Sequence, residues 1–107
     1  MPQAWHITVE TSLNVPQVHL HRLLPIVNEY IIDIKDMDPD IYKSYTDRSN
    51  RRVIDNLRWL LSNGVSDRIV VRLPLIPDYN DIEAREQSKR KLMEMGIKRF
   101  DELVYHK

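Results

Sequence analysis

Four short runs rich in β-branched and aromatic residues punctuate the chain, and the stretches between them switch to helical spacing, an alternation that leaves few folds open. Trp5–Glu10, Tyr30–Lys35, Arg68–Leu73 and Phe100–His106 are the predicted strands. A helix is expected over Pro16–Leu24, with Asn14 as its cap and Pro25 as its stop. The clearest helix carries Val53, Ile54, Leu57, Leu60 and Leu61 at i, i+1, i+4, i+7 and i+8, capped by Ser49 or Asn50 and stopped at Gly64. Another opens at an Asn80-x-x-Glu83 capping box, has Asp81 and Glu83 at its start and Lys89, Arg90 and Lys91 towards its end, and closes at Gly96. Residues 36–50 read as a polar loop with room for a helical turn, and Pro74–Pro77 as a stiff loop leaving the sheet. The resulting β-α-β-α-β-α-β order predicts parallel strands joined by right-handed crossovers, an α/β sheet or part of a barrel.

Composition closes off several functions. Sixteen Lys and Arg balance sixteen Asp and Glu over 107 residues, so no net field draws the chain to nucleic acid or to an anionic membrane. An apolar share of 42% with 30% charged residues is that of one folded domain or part of one. No apolar run approaches the ~20 residues of a membrane span. Met1–His6 lacks the basic and apolar regions of a signal peptide, which makes the cytoplasm the expected location. With no cysteine, the chain cannot form disulfides, thiolate zinc sites or an iron–sulfur cluster on cysteines of its own.

Within each predicted strand the period of two separates two faces. Ile7 and Val9 oppose His6, Thr8 and Glu10; Ile32 and Ile34 oppose Ile31, Asp33 and Lys35. Ile69, Val71 and Leu73 oppose Val70 and Arg72, while Leu103 and Tyr105 oppose Glu102, Val104 and His106. Glu10, Asp33, Lys35, Arg72 and His106 are thereby expected together on one face near the carboxyl ends of the strands. Burying them there is costly unless they pair or face a ligand, and that rim is where parallel α/β folds bind substrates. Each alone reads as an ordinary rim ion pair; five in register read as a site.

Other polar clusters carry less. Asp36-x-Asp38-x-Asp40 has Ile41 where a calcium loop needs glycine and Asp47 where it needs a bidentate glutamate. His19 and His21 point about 200° apart on a helix and cannot share a metal. Arg51-Arg52 and Lys89–Lys91 read as solvated helix faces, and Trp59 as the edge of the core.

Five stretches in order resemble those of the pyruvate formate-lyase activating enzymes and their relatives, which activate glycyl-radical enzymes and belong to the radical S-adenosylmethionine (SAM) superfamily. His6-Ile-Thr-Val-Glu-Thr-Ser12 is similar to that family's strand end of histidine, acid and threonine, and Asp33-Ile34-Lys35 with Asp36-Met37-Asp38-Pro39 to its D-L-K-x-M-D-P stretch. Ser49-Asn50 through Asn56-Leu57 resembles S-N-x-x-x-x-x-N-L. Arg72-Leu-Pro-Leu-Ile-Pro77 with Asn80-Asp81 resembles R-x-P-x-I-P-G-x-N-D, and Val104-Tyr105-His106 resembles the end of L-P-Y-H. The chain departs from the pattern at Val104, where proline is common, at Asp78, where glycine follows Ile-Pro, and at Leu13 with Asn14, where glycine follows the threonine strand.

The resemblance implies a portion of a radical SAM partial (β/α) barrel, 1–107 forming a single fragment from the C-terminal part, with the cluster-binding N-terminal part absent. It implies SAM and a 4Fe-4S cluster as cofactors of the full-length enzyme, with the cluster not expected on this chain. The implied roles place Lys35 at the SAM carboxylate, His106 and Asp33 at its ribose, and Glu10 at its amino group or at a monovalent cation shared with Thr11 and Asp33. Arg72 would lie near SAM or the partner's glycine loop. The implied partners are a glycyl-radical enzyme and flavodoxin or a similar electron donor, and the exposed edge of a partial barrel invites self-association. A second function class, a non-catalytic α/β module that binds a glycyl-radical enzyme, is separated from the first by whether the reading frame continues upstream through a three-cysteine motif.

Overall fold

The β-branched runs pair side by side in the order in which they occur. In the computed structural model, which describes residues 6–104, β1 (Thr8–Thr11), β2 (Glu29–Asp33), β3 (Ile69–Leu75) and β4 (Arg99–Val104) form one parallel sheet in chain order. Helix α1 (Gln17–Leu23) fills the first crossover, α2 (Pro39–Thr46) and α3 (Arg51–Ser62) the second, and α4 (Ile82–Met95) the third. Strands laid down in chain order by right-handed crossovers put their helices on one side of the sheet. The core follows: Tyr30, Ile32, Ile34, Ile69, Val71 and Leu73 are buried in one cluster with Leu20, Val53, Leu57, Leu60 and Leu92 of the helices. Each such aliphatic side chain contributes roughly 1.5–3 kcal/mol on burial. Ile31, Asp33, Val70 and Arg72, on the other face, remain half-buried.

Several expectations change. The polar stretch after β2 holds the two-turn helix α2, because Pro39 takes the first helical position, where its missing N–H costs nothing. Asp38 caps that helix, its Oδ1 accepting from the N–H groups of Asp40 and Ile41 at 2.8 and 3.2 Å. Strand β3 continues through Pro74 to Leu75 instead of breaking there. Proline is tolerated because β2 has already ended: its register with β3 stops at Asp33 opposite Arg72, so little ladder remains to lose. Asn14 does not cap α1. Pro16 stands at that position, while the Asn14 amide reaches the Tyr42 hydroxyl at 3.3 Å. The cap of α4 is Asp81, which accepts from Ala84 N–H at 2.8 Å, rather than Asn80 in a capping box. Strand β1 begins at Thr8, and Trp5 lies outside the described residues.

Candidate functional site on the open face of the sheet

Paired residues of a parallel ladder point the same way, so register fixes which side chains meet. Glu10 is level with Ile31 of β2, and Asp33 with Arg72 of β3, which in turn is level with Asp101 of β4. Glu10, Asp33, Lys35 and Arg72 therefore share the face opposite the helices. Lys35 Nζ lies 3.0 Å from Asp33 Oδ1, with both side chains more than two-thirds covered. Arg72 is the hub of the row. Its Nη1 reaches Glu10 Oε1 at 2.7 Å, two strands away, and its Nε approaches Asp101 Oδ2 at 3.6 Å on the other side. Alternating acid and base along one face lets the charges offset one another while leaving the rim partly open to solvent. A cation and carboxylates of this kind can grip a zwitterionic amino-acid group, and carboxylates can accept from ribose hydroxyls.

Thr11 is level with Ile32, so its side chain leaves the face that carries Glu10 and Asp33, and its Oγ1 accepts from Leu13 N–H at 3.0 Å. Among the described residues no group of three His, Asp or Glu side chains is placed to hold a metal ion. In β4 the two faces are the reverse of those predicted. Phe100 is level with Val71 and packs on the core, and Glu102 turns to the helices, where its Oε1 lies 3.2 Å from Lys89 Nζ of α4. Leu103 falls on the open face with Asp101. The aromatic Phe100, not Leu103, anchors the strand. Tyr105 and His106, the latter expected beside Glu10 and Arg72, lie outside the described residues.

The side chains that hold the rim in place include Asn50, which stands at the start of α3 without capping it through its side chain. The buried Asn50 amide donates to the Met37 carbonyl at 2.8 Å, and that of Asn56 donates to the carbonyls of Leu13 and Val15, both at 2.8 Å. Each asparagine of the Ser49–Leu57 stretch thus ties down the loop after a strand, one after β2 and one after β1. Asp36, 1% exposed, is a further buried polar group, whose burial the sequence analysis did not anticipate. The Asp-x-Lys-Asp run at the end of β2 was the available signal.

The geometry defines a parallel α/β segment with helices on one face and a charged carboxyl-end site on the other. No family profile matches the chain. It is 41% identical over 73 residues to the (2S)-3-sulfopropanediol dehydratase activating enzyme of Klebsiella oxytoca, covering 68% of this chain and 22% of that protein. It is 34% identical over 103 residues to the isethionate sulfite-lyase activating enzyme of Nitratidesulfovibrio vulgaris, and 31% identical over 99 to the pyruvate formate-lyase 2-activating enzyme of Escherichia coli. These matches cover 95% and 92% of this chain and 33% of each relative. A domain of a pyruvate-formate lyase-activating enzyme from Bacteroides vulgatus shares the fold, with a TM-score of 0.54 at 16% identity over 91% of this chain and 80% of that one. The chain belongs to the family of glycyl-radical enzyme activating enzymes and spans about a third or less of the length of these curated relatives.

Proposed function

We propose that this chain is the C-terminal part of a radical SAM activating enzyme, a portion of its partial (β/α) barrel, and that the open face of the sheet is part of its SAM site. The observation that carries this reading is the row of Glu10, Asp33, Lys35 and Arg72 on one face at the strand ends. Lys35 binds the methionyl carboxylate, Glu10 the amino group and Asp33 the ribose; Arg72 holds Glu10 in place and faces SAM or the partner's glycine loop. The donor set suits SAM, which needs one cation, one anion and hydroxyl acceptors. When bound beside a reduced 4Fe-4S cluster, SAM supplies the oxidising power to take a hydrogen atom from a glycine of the partner enzyme. This chain's residues do not fit the cluster itself, which needs thiolates, so those must come from outside these 107 residues. The isolated chain is then inactive, works in the cytoplasm as part of the larger enzyme, and meets a glycyl-radical enzyme and a flavodoxin-like donor only in that context.

Two experiments bear on this. Anaerobic iron and sulfide reconstitution of the 107-residue chain followed by EPR gives no stoichiometric cluster signal. The protein that carries this segment together with a three-cysteine motif, reconstituted and reduced, cleaves SAM to 5′-deoxyadenosine; Lys35→Met abolishes the cleavage with cluster content unchanged. Undiminished cleavage in Lys35→Met contradicts the assignment.

A further inference from the structure

The β2–β3 ladder gives out at the site. Pro74 has no N–H to offer β2, and the N–H of Ile34 makes a closing bond to the Arg72 carbonyl at 3.1 Å. Asn80, from the loop after β3, occupies the notch between the two strand ends. Its Nδ2 donates to the Pro74 carbonyl at 3.1 Å, to the Lys35 carbonyl at 3.4 Å and to Asp36 Oδ2 at 3.1 Å, while its Oδ1 accepts from Ile76 N–H at 2.7 Å. Asp36 is held from a second direction as well. Its Oδ1 accepts from the Ser88 hydroxyl of α4 at 3.0 Å and from Asp38 N–H at 2.9 Å, and Ser88 Oγ accepts from Met37 N–H at 3.0 Å.

A carboxylate this deep is a poor device for stability, since an apolar side chain of similar volume serves a core as well or better. It serves placement well. Asp36 is bonded directly to Lys35 in the bend after β2, so a rooted Asp36 restricts the direction in which Lys35 leaves the backbone. We propose that Asn80 and Asp36 are positioning residues that set where the Lys35 ammonium, and with it the Asp33 carboxylate, stands on the opposite face. The proposal rests on the reading of that face as a SAM site, and it assigns the loop after β3 a role in affinity although none of its side chains need touch SAM.

The test uses the reconstituted full-length protein in two measurements. Hydrogen exchange in Asn80→Ala rises about tenfold or more at residues 35–38, 75 and 76, while the core amides of Ile32 and Val71 stay protected. Calorimetry gives SAM affinity lowered about tenfold by Asn80→Ala, and the effect disappears when Lys35 is already methionine, because the two act through one group. Ser88→Ala, which loosens the same carboxylate from α4, follows the same pattern with a smaller loss and guards against misfolding of the first variant. Additive losses in the cycle, or exchange that rises uniformly across the sheet, overturn the proposal by making Asn80 a stability residue only. If Lys35→Met alone leaves SAM affinity unchanged, the SAM assignment falls, and local exchange at residues 35–38 still decides whether Asn80 positions Lys35.

Discussion

Leu13 and Asp78 adopt φ of +61° and +72°, the left-handed region that favours glycine, and both stand where the resemblance places glycine. For a branched side chain this costs roughly 1–2 kcal/mol. Leu13 is nonetheless retained because its side chain is wholly buried in the core. Its substitutions should therefore reverse a usual order: Leu13→Ala loses about 2–5 kcal/mol, and Leu13→Gly is no less stable than Leu13→Ala, as urea unfolding would show. Tyr30 gives a pH signature. Its hydroxyl is buried without a partner among the described residues, and burial pushes its pKa above the ordinary phenol value of 10.0, with the nearby Arg68 opposing the shift. The folded state keeps the phenol neutral longer than the unfolded state does. That contribution is fully present below about pH 10 and is lost as pH rises through the folded-state value. Tyr30→Phe should leave stability at neutral pH unchanged or raise it by up to about 1 kcal/mol, and should reduce the alkaline loss measured by urea titration.

Among the elements, the rim is set by amides rather than by apolar contact. Asn56→Ala frees two carbonyls in the β1–α1 loop and should destabilise by about 1–3 kcal/mol in urea unfolding, more than loss of the exposed Arg72–Glu10 pair, which should cost under about 1 kcal/mol. The apolar stripes of β2, β3 and α3 were legible in the sequence because strand alternation and helical spacing are each unbroken over several residues. Helix α2 was not, because its apolar positions are few and its proline reads as a break until the capping carboxylate of Asp38 is seen beside it. The faces of β4 were misread for a related reason. With Phe100, Leu103 and Tyr105 spaced unevenly, the sequence offers two stripes, and only pairing with β3 chooses between them. Asn80 was mistaken for a cap because an asparagine before an acid-rich first turn has that signature whether its side chain turns to the helix or to the strand ends.

For the molecule as a whole, one face of the sheet is closed by helices and the other presents a charged row, and the proposed function depends on that asymmetry. No helix among the described residues is long and apolar enough to cross a membrane. Four of the five ionisable residues singled out from alternation lie on the open face, and Asp101 joins them unforeseen, because the faces of β4 are the reverse of those expected. NMR shift mapping of the 107-residue chain with SAM tests the central claim directly. If the proposed SAM site continues beyond this segment, binding should be weaker than micromolar, and the amide and side-chain shifts should move at Glu10, Ile31, Asp33, Lys35 and Arg72 while Ile32, Val71 and Leu57 stay fixed. Shifts confined to the helix layer, or none at millimolar SAM, would contradict the account.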